Sequence, residues 1–112
     1  MNYDKINQVI LNFVQERDWE KFHTPKNLSM ALSVETSELV EIFQWQDEES
    51  LIDNKAEIIE KSKEEVADIF FYLVRVCQVL DLDLEEAFFK KIEKNKNKYP
   101  AEKYRGLSTW KV

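Results

Sequence analysis

The chain is short of the residues that punctuate a sheet or staple a small secreted fold. Its 112 residues include one glycine, two prolines, one cysteine and one histidine. Strands need turn residues every few positions, so this shortage leaves little turn chemistry for a β protein. A lone Cys77 offers neither a disulfide framework nor a zinc cluster; on an apolar helical stripe it reads as a small core residue. No apolar run is long enough to span a bilayer. The start, Met1 to Lys5, lacks the basic-then-apolar pattern of an export signal. The expectation is a cytoplasmic protein with no membrane partner. With 16 basic against 22 acidic residues and a net charge of −6, a general surface for a nucleic acid polymer is excluded. A single nucleotide is not, because a bound cation reverses the local sign.

What is present points to helices. The composition, 44% apolar and 34% charged, belongs to a globular chain and not a disordered one. Its length suits one domain over residues 1–112, with a core over about 2–100 and a tail over 101–112. The fold class is all-α, a compact bundle of four to five helices with an irregular C-terminal tail. Tyr3, Ile6, Ile10, Phe13 and Val14 share one face of a first helix, from about Asn2 to Arg17. Thr24 caps a second, Pro25 sits in its first turn where no amide donor is needed, and it runs to about Phe43. A polar connection with Trp45 follows, and Leu51 to Asn54 suit a short turn of helix. A long helix spans Lys55 to Leu80, with a break allowed near Lys61-Ser62-Lys63. Asp83 to Glu86 reads as a capping box for a last helix that Tyr99-Pro100 ends near Lys98. In the tail, Tyr104, Leu107 and Trp110 suggest packing.

Four acids lie at matched positions on the two long helices. Glu35 and Glu38 are three apart, as are Glu65 and Asp68, so each pair presents neighbouring carboxylates. At about 100° per residue, Glu35 falls inside the apolar stripe Leu28, Leu32, Leu39, Ile42, with Glu38 on its flank and Glu41 further towards solvent. Glu65 falls inside the stripe Val66, Ile69, Leu73, Val76, Leu80, with Asp68 on its flank. An isolated buried carboxylate neutralises or finds a counter-charge, so two acids misplaced in equivalent ways ask for cations. On the last helix the core face starts with Leu84 and Phe88 and continues as Lys91, Asn95 and Lys98. That pattern suits a polyanion as well as the cation preference of a helix C-terminus. Tyr72 lies one turn beyond Asp68.

These segments in order resemble the MazG type of all-α nucleoside triphosphate pyrophosphohydrolase, and its dCTP pyrophosphatase branch in particular. The resemblance rests on Arg17-Asp-Trp19-Glu-Lys-Phe22-His23 with Pro25 and Leu28, on Glu38 to Trp45, on Glu65 to Tyr72, and on Lys91, Asn95 and Lys98-Tyr99-Pro100. It implies that Glu35, Glu38, Glu65 and Asp68 hold Mg²⁺, a small hard ion suited to carboxylate, water and phosphate oxygens. It implies a base pocket of Trp19, His23, Trp45 and Tyr72, and phosphate contacts from Lys91 and Asn95. Where the branch often has Arg, this chain has Lys26, Lys96 and Lys98, which keep the charge without the planar fork.

The implied reaction is Mg-dependent hydrolysis of a nucleoside triphosphate, dCTP or a modified dCTP, to the monophosphate and pyrophosphate, as in sanitation of the nucleotide pool. Positioning and charge neutralisation do most of the work in phosphoryl transfer, and Glu38 is the acid expected to orient the attacking water. The resemblance also implies a homodimer or homotetramer. The alternative is a non-enzymatic helical module that binds a nucleotide or a partner through the same cleft. A di-iron bundle is excluded because it requires Glu-x-x-His pairs, and an EF-hand because Asp81 to Glu85 has no central glycine.

Overall fold

The structure, a computed structural model, describes residues 1–107. They form the helices α1 (Tyr3–Glu16), α2 (Pro25–Phe43), α3 (Glu48–Asp53), α4 (Lys55–Leu80), α5 (Leu84–Lys98) and α6 (Ala101–Tyr104), with one 3-10 turn at Glu20–Phe22. The chain divides into two compact units, Met1–Asp81 and a second that starts at Leu82.

In the first unit α2 and α4 pack along each other as the main pair, and α1 and α3 rest on α4. The starts of α1, α2 and α3 are capped as their residues dictate, whereas α4 follows Asn54 without a side-chain cap. Asn2 accepts from the Lys5 amide at 3.1 Å, and Thr24 from the Asn27 amide at 3.1 Å, with Pro25 in the first turn of α2. Asp47 and Ser50 close a reciprocal capping box on α3. Asp18 and Asp81 take left-handed backbone, φ 53° each, just past α1 and at the end of α4. Asp tolerates that conformation better than most residues, so both stops are local.

Ile10, Val14 and Val74 form the central cluster, with Tyr3, Ile6, Phe70 and Phe71 packed around it. Leu28, Ile58 and Cys77 are also buried, and burial pushes the Cys77 thiol pKa up, as befits a core thiol. Helix α4 runs unbroken through Lys61-Ser62-Lys63. Ser62 turns its hydroxyl back to the Ile58 carbonyl at 2.7 Å, and Lys61 and Lys63 pair with Glu57 and Glu60 one turn away.

The second stripe needs a correction. Val66, Leu73 and Leu80 are exposed by 53%, 37% and 48%, while Val74, Arg75 and Cys77 are buried. Apolar residues cover a wide arc of α4, and periodicity shows the arc without showing which part α1 and α2 cover. On α2 the expected stripe holds, with Leu28 buried and Leu32, Leu39 and Ile42 half-buried.

In the second unit, Asp83 accepts from the Glu86 amide at 3.0 Å to start α5. The reciprocal half of the expected box is missing, because the Glu86 carboxylate turns to Lys90 instead. The tail is less irregular than expected: α6 occupies Ala101–Tyr104, and Tyr104 packs edge-on to Tyr99 at 5.2 Å. Trp110 lies outside the described residues.

The packing has a measurable consequence. Leu28→Ala is expected to lose about 2–5 kcal/mol of stability, and Thr24→Ala, which removes one cap, about 1 kcal/mol. Urea unfolding checks both, and equal losses would show that Leu28 is not a core anchor.

Candidate functional site

Pairing of α2 with α4 brings the predicted acids together. One carboxylate oxygen each from Glu35, Glu38 and Glu65 lies within 4.8 Å of the others. Asp68 is exposed and outside that trio, yet near enough for its charge to act on Glu35 and Glu65. The Oε2 atoms of Glu35 and Glu65 are buried, and no hydrogen-bond partner reaches either.

Crowded like charges hold protons. Glu65 is pushed up to about 7, chiefly because a hydrogen bond with the Glu38 carboxyl requires a proton, then by burial and by repulsion from Glu38, Glu35 and Asp68. Glu35 is raised mainly by burial, then by Glu38 and the charge of Asp68. Among the described residues no Lys or Arg pairs with any of the four acids. Two orphaned buried oxygens in an all-carboxylate set without a basic partner fit a hard divalent cation. A cavity of about 540 Å³ adjoins the trio, lined by Glu38 and Glu65 together with Glu41, Glu57, Lys61 and Glu64.

On another side of the acids an aromatic line begins. Tyr72 stands where Glu35 and Asp68, after burial, hold its hydroxyl proton more firmly than usual. Its ring meets Phe71 edge-on at 5.2 Å. Phe71 meets Phe13 at 5.8 Å, Phe13 meets Trp19 at 5.7 Å, and Trp19 lies 6.4 Å from the His23 ring. Three of the four expected pocket residues thus lie on one continuous aromatic path. The fourth, Trp45, is not brought to them: it is 87% exposed in the connection after α2. Lys91 and Asn95 lie on α5 in the second unit, Lys91 exposed and Asn95 half-buried.

Arg75 escaped the sequence reading. It is 6% exposed and donates from Nε to His23 Nδ1 at 2.9 Å. The available signal was a guanidinium inside the apolar run Leu73-Val74-Arg75-Val76-Cys77. Phe13 was placed only as a helix-face residue and Phe71 was given no role, since a link between rings on different helices has no signature within one segment.

A family profile described as MazG-like matches residues 30–111, the stretch that holds the acids and α5. The chain belongs to the MazG-like family. It is 37% identical over 105 residues to the dCTP pyrophosphatase 1 of Bos taurus, covering 92% of this chain and 62% of that protein. To the dCTP pyrophosphatase 1 of Homo sapiens it is 36% identical over 107 residues, covering 94% and 63%. This MazG-like chain therefore spans less than two thirds of the length of those relatives. A crystal structure of a pyrophosphatase from Archaeoglobus fulgidus superposes with a TM-score of 0.78 at 38% identity, covering 89% of this chain and 94% of that one. The all-α fold is shared with that neighbour.

The raised Glu65 pKa has a defined sign in stability. Its folded value, about 7, exceeds the ordinary 4.5, so its contribution is fully present below about pH 4.5 and is lost as pH rises through about 7. Thermal melts of metal-free protein are expected to show a falling Tm across that window. Glu65→Gln, which cannot ionise, should flatten the fall, and Mg²⁺ should raise Tm more at pH 8 than at pH 5. A Mg²⁺ effect independent of pH would count against the acids as its site.

Proposed function

We propose that this MazG-like chain is one Mg-dependent catalytic domain that hydrolyses a deoxynucleoside triphosphate, dCTP or a modified dCTP, to the monophosphate and pyrophosphate. The observation that carries the reading is the cluster of Glu35, Glu38 and Glu65, with orphaned buried oxygens at one end of an aromatic path that leads to His23. The names of the dCTP pyrophosphatase relatives support the same substrate.

Glu35, Glu38 and Glu65, with Asp68 at their margin, would hold the ion. Bound Mg²⁺ would neutralise phosphate oxygens and make a coordinated water a better nucleophile at neutral pH. Glu38, one of the three clustered carboxylates and a lining residue of the adjoining cavity, would orient the attacking water. Trp19 and Tyr72 offer ring faces to the base, and His23 reads its edge. Lys91 and Asn95 take phosphate oxygens, a role carried by the family resemblance. Sanitation of the nucleotide pool in the cytoplasm fits such an activity. No helix among the described residues is long and apolar enough to cross a membrane.

The working form is a homodimer or homotetramer. Met30, Val34, Val40 and Phe43 leave an apolar series on α2 exposed by 40–57%, more than solvent-facing helix normally carries. Trp45, 87% exposed and stacked on none of the other rings among the described residues, completes a base pocket across that interface.

Pyrophosphate release from a panel of canonical and modified dNTPs with Mg²⁺ tests the activity. Turnover should be greatest with cytosine deoxynucleotides and should fall at least about 100-fold in Glu38→Ala and Glu65→Ala variants that stay folded. Binding without turnover across the panel would favour a non-enzymatic module, and preference for a purine would remove the cytosine assignment alone. Light scattering of the active protein gives the assembly; a fully active monomer would contradict the shared pocket.

A further inference from the structure

Arg75 is a charge in the core with no carboxylate bonded to it. Its Nε–H goes to His23 Nδ1 at 2.9 Å, and its NH1 to Gln78 Oε1 at 3.0 Å. Gln78 in turn donates from Nε2 to the Asn7 carbonyl at 3.0 Å and to Asn7 Oδ1. The chain of bonds ties α1, α4 and the segment before α2 together, and its polarity runs one way. A guanidinium has five N–H donors and no acceptor. Every partner of Arg75 must therefore receive, which sets the Gln78 amide with its NH₂ towards Asn7.

The same logic fixes the imidazole. A ring nitrogen that accepts from Arg75 must carry its lone pair there, so Nδ1 has no proton. Burial, and then the adjacent guanidinium, lower the His23 pKa, which favours the neutral ring. A neutral imidazole with a bare Nδ1 has its one proton on Nε2. Among the described residues Nε2 has no hydrogen-bond partner, so the ring offers one free donor beside Trp19.

We propose that Arg75 is a positioning residue for substrate choice: by accepting nothing and donating to Nδ1, it locks His23 as the Nε2–H tautomer, so that the pocket requires a hydrogen-bond acceptor on the base edge. This rests on His23 being the base reader proposed above. A ring free to exchange tautomers would present a donor or an acceptor and would discriminate poorly. One held as a donor rejects a base that presents N–H at the contacted position, because two donors then face each other without a partner.

His23 is the only histidine in the chain, so its ¹⁵N spectrum can be assigned without ambiguity. At pH 7.5 the wild-type ring should give the pattern of a protonated Nε2 and an unprotonated Nδ1. Arg75→Met should give mixed tautomers and raise KM for the preferred dNTP roughly tenfold, with kcat little changed, as loss of one oriented ground-state hydrogen bond requires. Arg75→Lys, which keeps a donor and the charge, should restore part of both signals; it also serves if the Met variant does not fold. A wild-type ring protonated on Nδ1, or an Arg75→Met variant whose tautomer shifts while KM stays constant, would overturn the inference. His23→Ala separates the two layers. If KM is unchanged in that variant, the base-reader role fails and the inference with it. If KM rises in His23→Ala but not in Arg75→Met, only the role of Arg75 fails.

Discussion

Like charge held at close range on two paired helices is the constraint on which this molecule depends. Three carboxylates that would repel one another in water are kept within 4.8 Å by packing that has nothing to do with charge. Leu28 on α2 and Ile58, Val74 and Cys77 on α4 are buried, Val74 against Ile10 and Val14 of α1. Repulsion at such distances favours the protonated form of a carboxyl, and the pKa values of both Glu35 and Glu65 are raised accordingly. A bound cation would relieve the same repulsion. The site is thus a concentration of negative charge set on rigid helices instead of loops.

The aromatic path has the opposite electrostatic character and a complementary use. Phe13, Trp19, Phe71 and Tyr72 meet edge to face, and Trp19 meets the His23 ring at a tilt, in contacts that favour fixed orientation as well as burial. Because Phe13 belongs to α1 and Phe71 to α4, the path is also part of the core. The group that would sort bases and the group that would hold the ion therefore share supporting residues, and Tyr72 touches both environments. Arg75 extends this arrangement to His23 by a polar route through the interior, where hydrogen bonds are less diluted by water.

Much of this was legible in the linear chain because it is periodic or local. The limits of α2 and α4 follow from Thr24, Pro25 and the scarcity of breakers, and the offset of Glu35 and Glu65 into apolar stripes follows from 3.6 residues per turn. The short helix α3 was half seen, since its Asp47–Ser50 box uses serine where glutamate or glutamine is the usual signal. The burial of Val66, Leu73 and Leu80 was misread because coverage depends on what lies opposite a helix, and a single segment does not state its neighbour. Arg75 was missed for a related reason. Its partner is 52 positions away, and a charged residue in an apolar run looks like noise until the ring that receives its proton is in place.

The unbroken course of α4 between Lys55 and Glu65 acts as a ruler. The connection over 44–54 can lengthen or shorten while α2 and α4 keep their pairing, since loop length costs little. A residue added between Lys55 and Glu65 is different, because it turns everything beyond it by about 100° and carries Glu65 off the face that meets Glu35. The molecule should therefore tolerate insertions on one side of Lys55 and refuse them on the other, which makes that lysine a boundary between spacer and instrument.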